Sequence, residues 1–596
     1  MIPFIPENAP FTPEQRLWLN GYLAGLFSDA GAAQQAMNGL AGAPAAPAKP
    51  LAILYGSQTG TAEGLAKKAS KLASKHGFAG KLVCMDKHES VDWSKERHLL
   101  VITSTYGDGE PPDNAQGFWG HLKGEGAGHF AHLSYSVLAL GDTNYSAFCQ
   151  FGVNCDERLA ELGANRFHPR AECDVDYESA SKAWMDGVFA ALAADAPTGS
   201  AAGAGATASK NSVETEEETG YTKTNPFPAR LLSKRLLNAE GSAKEVRHYA
   251  ISLAGSGIEY EVGDALGVYP VNCSNLVGEL LAALGCDGEE AVKVSGKELP
   301  LRMALAQHLD ITRPSPELLR ALASRGGSGG LSAEIAPLLE PSRKEELQKW
   351  LWGREIIDLL AGLSQPFGPA EFVGLLKKLQ PRLYSISSSP KAHPGEVHLT
   401  VAAVRYESHG RSRKGVCSTF LADICQEEAT PLPVYLQVSH GFRLPSNGDV
   451  PVIMCGPGTG IAPFRAFLEE RQATGAKGKN WLFFGDQKRA SDFLYQEELE
   501  AWLDSGHLSR LDLAFSRDQA EKIYVQTRMT ENAADLWSWF QEGAHFYVCG
   551  DASRMAKDVD AALVKVAEIA GGLSAAEAAA YVQKLKNDKR YQRDVY

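Results

Sequence analysis

Short, nearly unbroken apolar runs that end in glycine- and hydroxyl-rich turns alternate with stretches of helical periodicity along most of the chain. The first, LAILYG (Leu51 to Gly56), leads through SQTGTAEGLAKKASKLASKHG, a turn that opens into a helix. HLLVITSTYGDGEPPDNA and SVLALGDTNYSAFCQFG repeat this unit, and Pro111 and Pro112 prevent a helix from starting directly after the former. Such runs predict an open, doubly wound parallel sheet. Further along, YTKTNPFPARLLSKRLL and GIEYEVGDALGVYPVN read as short strands with turn glycines. Residues 273 to about 379 turn to helical periodicity, and strands return at Arg382 through VHLTVAAVRYES and LPVYLQVSHGFRLP. That order predicts an antiparallel barrel carrying a helical insert, which is tolerable because loop-closure entropy rises slowly with length. PVIMCGPGTGIAPFRAFLEER, WLFFGDQK, LDLAFSRD and AHFYVCGD predict a second α/β domain at the C-terminus.

Two tracts interrupt this order. At the N-terminus Thr12 can cap and Pro13 can open a helix whose apolar stripe is Leu17, Trp18, Tyr22, Leu26 and Phe27. An Ala/Gly/Pro-rich stretch, Ala30 to Pro47, follows it. The helix either docks a partner or folds back on the next domain. Ala196 to Gly220 is poor in apolar residues, ends in an acidic run and reads as a flexible linker. The expected divisions are an N-terminal helix and arm at 1–49, an α/β domain at 50–193, the linker at 194–222, the barrel with its insert at 223–447, and the last α/β domain at 448–596.

Composition narrows the function. A chain of 596 residues is too long for one core. A net charge of −13 argues against nucleic acid, whose phosphates need concentrated Lys and Arg. No run approaches the ~20 apolar residues of a membrane span, and MIPFIPENAP lacks the pattern of a signal peptide. The cytoplasm is the expected location. The ten cysteines show no C-x-x-C or paired spacing and the 15 histidines no H-E-x-x-H pattern, so no metal is expected and redox chemistry would fall to organic cofactors.

Three strand ends in the first α/β domain offer candidate chemistry. Ser57, Gln58, Thr59, Gly60, Thr61 and Ala62 can aim N–H groups and hydroxyls at a phosphate, with the positive end of a helix behind them. No lysine follows Gly60, so a single terminal phosphate held by neutral donors suits the loop better than a nucleotide triphosphate. Ser104, Thr105, Tyr106 and Gly107 form the second loop; Leu140, Gly141, Asp142, Thr143, Asn144, Tyr145, Ser146, Ala147, Phe148 and Cys149 form the third. A phosphate cradle with two tip aromatics, Tyr106 and Tyr145, describes a pocket for a planar ring bearing a phosphate, and FMN fits it. Asp108, Glu110, Asp113 and Asp142 rim these loops and are candidates for steering a cationic partner. In the barrel, PRLYSISSSP places Arg382, Tyr384 and Ser385 on an extended segment that can fork a diphosphate and face a flat ring, and GVCSTFLAD offers Gly415, Val416, Cys417 and Ser418 as an opposing anion site. In the last domain Ser516, Arg517, Lys522, Tyr524 and Gln526 gather cations and polar groups where a ribose would lie, which favours a 2′-phosphate and NADPH over NADH; Asp518 beside them is discordant.

SQTGTAE, STYGDGEPPDNA and LGDTNYSAFC resemble the FMN loops of flavodoxin-like domains in the diflavin reductases, and RLYS followed by GVCSTF resembles the FAD-binding pair of the ferredoxin–NADP reductase family. The resemblance implies a flavodoxin-like domain followed by a ferredoxin–NADP reductase-like module, binding FMN, FAD and NADPH. It implies FAD contacts from Thr312, Arg382, Leu383, Tyr384, Ser385, Thr400, Val401, Ala402, Tyr406 and Gly415 to Ser418. On the nicotinamide side it implies Gly456, Thr459, Ile523, Val525 and Asp558 besides the residues above, with Ser385, Cys549 and Asp594 converging at the hydride-transfer site and Tyr596 over the flavin ring. Cys549 reads equally as a small buried apolar residue. FTPEQRLWLNGYLAG, the length and the ending KLKNDKRYQRDVY most resemble the bacterial assimilatory sulfite reductase flavoproteins. That implies electron flow from NADPH through FAD and FMN to a separate hemoprotein subunit with siroheme and an iron–sulfur cluster, and a homo-oligomer, often octameric, held through the N-terminal region. The alternative is a general diflavin reductase serving another heme or flavin acceptor, such as a soluble cytochrome P450.

Overall fold

The computed structural model describes residues 49–596 except 58–59, 108, 125–127, 144–146, 195–219, 326–329, 362, 364 and 440. The expected N-terminal helix and nearly all of the expected linker lie outside the described residues, as do Gln58, Thr59, Asp108, Asn144, Tyr145 and Ser146.

The first module is a parallel sheet of β1 (Lys49–Gly56), β2 (Phe78–Cys84), β3 (His98–Ser104), β4 (Ser134–Leu140), β5 (Asn165–Arg166) and β6 (Ala171–Cys173), in the order β2-β1-β3-β4-β5 with β6 also on β4. Alternate residues of β1 face opposite cores. Leu51 and Ile53 pack with the helices Thr61–Lys75 and Tyr177–Ala194, while Ala52 and Leu54 pack toward Gln116–Lys123 and Gln150–Glu161. This two-sided burial is why the strand reads as an unbroken apolar run.

The second module is built on β7 (Phe227–Leu236), β8 (Val246–Ser252) and β9 (Ala265–Val268). A helical insert from Ser274 to Leu375 follows, carrying a small hairpin of β10 (Ala291–Val294) and β11 (Lys297–Pro300). The helical periodicity of this region hides the hairpin; Ser295 and Gly296, at φ 51° and 81°, make the turn that joins its strands. The chain returns through β12 (Arg382–Ser385), β13 (Glu396–Ala402), the hairpin β14 (Arg405–Ser408) and β15 (Arg411–Lys414), and β16 (Pro431–Gln437). The antiparallel order is β12-β9-β16-β7-β8-β13, and a bridge between Ile386 and Leu399 joins the two edge segments. The barrel thus closes across the insert.

The third module is a parallel sheet, β19-β18-β17-β20-β21, of β17 (Val452–Cys455), β18 (Asn480–Asp486), β19 (Arg510–Phe515), β20 (His545–Gly550) and β21 (Tyr591–Val595). The C-terminal tail is therefore a fifth strand, with Asp594 directly opposite Cys549 on β20. Among the described residues no helix is long and apolar enough to cross a membrane.

Gly267 on β9 is a packing constraint of the barrel, because a Cβ there would lie 2.1 Å from the Tyr435 ring on β16. Gly267→Ala is expected to destabilise this module by about 1–3 kcal/mol through overpacking. A lower denaturation midpoint followed by flavin release checks this.

Candidate functional site

The strand ends of the first module carry the phosphate-type loops. Gly60, at φ 86°, ends the turn ahead of the helix that begins at Thr61. The Ser57 amide donates to Asn114 Oδ1 at 2.9 Å, while the hydroxyls of Ser57 and Ser104 are enclosed and have no hydrogen-bond partner among the described residues. Buried hydroxyls are rarely left unpaired. Two such orphans at the carboxyl ends of adjacent strands fit a polar ligand such as the FMN phosphate and ribityl chain. Thr105 is occupied otherwise: its hydroxyl accepts the Phe151 amide at 3.1 Å, joining the second loop to a helix start. In the third loop Thr143 donates to Asp174 from its hydroxyl at 2.6 Å and from its amide at 3.0 Å. Burial raises the Asp174 carboxyl, but these bonds and that of Lys377 outweigh it and hold it below the ordinary carboxylate range. Cys149 turns away from the pocket. Its thiol lies 3.3 Å from Ala139 O, and burial pushes it up to about 12, so only its backbone is available to a ligand.

One cavity of 1580 Å³ runs from the third loop to the C-terminus. Asp142 and Thr143 open onto it, as do Arg382 to Ser385, Gly415 to Ser418, Thr312, Thr400 to Ala402, Tyr406, Thr459 and Tyr596. It exceeds the ~300–1,000 Å³ of ordinary ligand pockets and fits an extended dinucleotide such as FAD. Arg382 and the turn at Gly415 come together as the sequence suggests. The Ser418 hydroxyl, however, is taken by the Val404 amide at 3.1 Å, leaving backbone N–H groups as the donors of that turn. Burial pushes the Cys417 thiol up to about 12, so it remains neutral. Thr312, although within the helical insert, reaches the cavity with its hydroxyl on Asp310 at 2.7 Å. The Thr400 hydroxyl pairs with Tyr495 at 2.6 Å and Val401 faces the barrel core. Leu383 and Tyr406 are exposed, and Tyr384 and Tyr596 both line the cavity.

At one end of this cavity three segments meet. Ser385 Oγ donates to Asp594 Oδ2 at 2.5 Å, and Cys549 Sγ lies 3.7 Å from the same oxygen. Burial raises the Asp594 carboxyl against the opposing pull of these two donors. Burial first, and the Asp594 charge second, hold the Cys549 thiol well above its usual range, so it acts as a neutral donor rather than a thiolate. Tyr596 is half exposed and its hydroxyl lies 2.9 Å from Thr459 Oγ1. The glycine turn approaches this strand closely: a Cβ on Gly460 would lie 2.1 Å from Cys549 O, and one on Gly456 would lie 2.4 Å from Gly460 O.

The nicotinamide-side candidates group at the end of β19. Arg517 and Lys522 are exposed and have no ion-pair partner among the described residues, whereas Asp518 accepts the Arg489 amide at 3.0 Å. The discordant acid is thus engaged elsewhere. Gln526 donates to Asp558 at 3.2 Å, which brings those two together, and Ser516 bonds Asp486 O through its amide at 2.9 Å. Tyr524 is exposed, while Ile523 and Val525 pack into the core and offer only backbone.

Composition and motif left a further set unseen. Arg593, one residue before Asp594, pairs with Asp113 of the first module and lies over the Tyr106 ring, and Tyr106 donates to Val595 O at 3.3 Å. Lys557 pairs with Glu110 at 3.2 Å, and Lys377 reaches Asp174 at 3.0 Å and Thr143 at 2.7 Å. Glu110 and Asp113, read from sequence as a rim for an outside partner, are spent on cations of the same chain. No motif flags these pairs, because their members lie hundreds of residues apart.

Three family models match in the order of the three modules: Flavodoxin over residues 53–184, FAD binding domain over 220–420, and Oxidoreductase NAD-binding domain over 454–561. Fold and sites define a diflavin reductase, an NADPH-dependent oxidoreductase of FMN and FAD. The sulfite reductase (NADPH) flavoprotein alpha-component of Bacillus subtilis (strain 168) is 46% identical over 98% of this chain and 96% of its own length. The proteins of that name from Vibrio vulnificus (strain CMCP6) and Shewanella oneidensis are 42% and 43% identical over 100% and 99% of the chain, each across 96% of its own length. The chain belongs to the family of sulfite reductase flavoprotein alpha-components.

Asp113→Asn removes the charge opposite the buried Arg593 and is expected to weaken the contact between the first and third modules by roughly 1.5–3 kcal/mol. A larger radius of gyration in small-angle scattering is the expected result; an unchanged radius would count against the contact's role.

Proposed function

We propose that this chain is the electron-supplying component of a sulfite-reducing enzyme, delivering electrons from NADPH to a separate hemoprotein subunit that carries siroheme and an iron–sulfur cluster. It would work in the cytoplasm as a homo-oligomer held through residues 1–49, with residues 50–193, 223–447 and 448–596 as its FMN, FAD and NADP(H) domains and 194–222 as a tether. The observation that carries the electron-transfer reading is the single cavity shared by the third loop, the Arg382 to Ser385 segment and Tyr596. The names of the relatives support the choice of acceptor.

When bound, the nicotinamide and flavins supply hydride transfer and the splitting of the pair into single electrons. The chain's residues align and enclose them. Ser385 and Cys549 would lie beside the reacting ring, held there by their bonds to Asp594; Tyr596 would cover the ring until the nicotinamide displaces it. Arg382 and the Gly415 turn would hold the diphosphate from two sides, and Arg517 and Lys522 would select the 2′-phosphate. Ser57 and Ser104 would donate to the FMN chain.

Mixing the purified chain with the hemoprotein component of a sulfite reductase tests the acceptor. Sulfite-dependent NADPH oxidation and co-elution are expected; full activity toward cytochrome c with neither would favour a general diflavin reductase. Replacing both Arg517 and Lys522 with alanine is expected to raise KM for NADPH about 10- to 100-fold, from the loss of charged hydrogen bonds, and to leave that for NADH unchanged. Asp594→Asn is expected to lower kcat with ferricyanide by on the order of 10²-fold through misalignment of the reacting groups. Steady-state kinetics with both coenzymes checks these outcomes.

A further inference from the structure

Away from the flavin and nicotinamide residues, the short segment HPGEVH gathers His393, Glu396 and His398, and one potential ligand atom from each lies within 4.8 Å of the others. Glu396 and His398 are two residues apart on β13 and share one face of the strand. The turn before it folds His393 onto that face, with its ring centroid 4.2 Å from that of His398. His398 is 4% exposed; its Nε2 lies 3.0 Å from Glu396 Oε2, and its Nδ1 is enclosed with no hydrogen-bond partner among the described residues. His393 Nε2 lies 3.0 Å from Glu469 Oε1. A carboxylate behind an imidazole is the arrangement that orients a metal-bound histidine and leaves its other nitrogen for the ion. Glu469 is itself fixed, accepting the Ser389 amide at 2.8 Å and Arg465 at 2.8 Å.

We propose that His393, Glu396 and His398 bind a divalent transition-metal ion of the zinc class, with Glu469 as the carboxylate that orients His393. Two imidazoles and a carboxylate, completed by water, are a donor set that Zn²⁺ accepts in four-coordinate form. Mg²⁺ and Ca²⁺ need six or more oxygen ligands and find too few here. The ligand atoms lie within 4.8 Å of one another, and a modest inward shift would bring all three to the ~2.0–2.2 Å at which they bond a common ion. His393, whose side chain is 31% exposed on a turn, has room to make that move. The ion would brace the seam between the barrel and the third module, because Glu469 and Glu470 on the helix Ala462–Ala473 already hold His393, Ser389 and Lys391 across it.

The test uses the full-length holoprotein with both flavins bound, cleared of metal with a chelator and then dialysed against micromolar Zn²⁺. Wild type, His393→Gln and Glu396→Gln are compared by metal analysis and thermal melting. Zinc held on thiols is common to all three and cancels. The wild type is expected to retain one more zinc per chain than either variant, and zinc is expected to raise only its melting midpoint. Flavin content and ferricyanide turnover without zinc should match in all three, which shows that the variants fold. Equal zinc content in the three proteins, or a zinc-induced shift that survives both substitutions, would overturn the proposal.

Discussion

The carboxylate of Asp594 is the point on which the structure turns. It is largely enclosed, and taking a charge out of water is costly unless donors surround it. Its donors come from different modules: Ser385 from the barrel and Cys549 from the neighbouring strand of the third sheet. Satisfying one enclosed oxygen therefore fixes the barrel edge, the end of β20 and the C-terminal strand relative to one another. The same strand carries Arg593, which reaches back to Asp113 in the first module. All three modules are thus joined through two consecutive residues of the tail.

This convergence depends on close backbone approach. Gly460 must lack a side chain for the turn after β17 to lie against Cys549, and Gly456 must lack one for the same turn to close on itself. These glycines do not form a dinucleotide fingerprint, yet they do comparable work, bringing a helix start against a strand end. The thiol beside them stays neutral, because burial and the Asp594 charge both disfavour a thiolate. Cys549 therefore acts through hydrogen bonding and packing rather than as a nucleophile.

The contact between the first and third modules gives the acidic rim a different meaning. Glu110 and Asp113 meet Lys557 and Arg593 of the same chain, so an outside cationic surface would have to compete for them. Tyr106, an aromatic at the tip of the second loop, is held by the Val595 carbonyl in this arrangement. Separation of the modules would expose together the loops, the acids and the edge of the tail strand.

Much of this was legible along the chain. The buried strands are unbroken apolar runs because helices cover both faces of their sheets, and the phosphate-type loops lie at strand ends because N–H groups are left over there; both patterns are local and survive in sequence. The hairpin at Ala291–Pro300 escaped because strands of four residues are too short to show a period against helical surroundings. The fate of individual polar groups was likewise hidden: Thr400 turned to Tyr495, Ser418 to Val404, Cys149 to the core and Asp518 to Arg489. By itself, then, the sequence determined the modules, their order and the residue types at each strand end. Only the tertiary structure decided that Asp594 closes on Ser385 and Cys549 and that Arg593 takes Asp113, because hydrogen bonds and ion pairs between residues hundreds of positions apart leave no period in the chain that makes them.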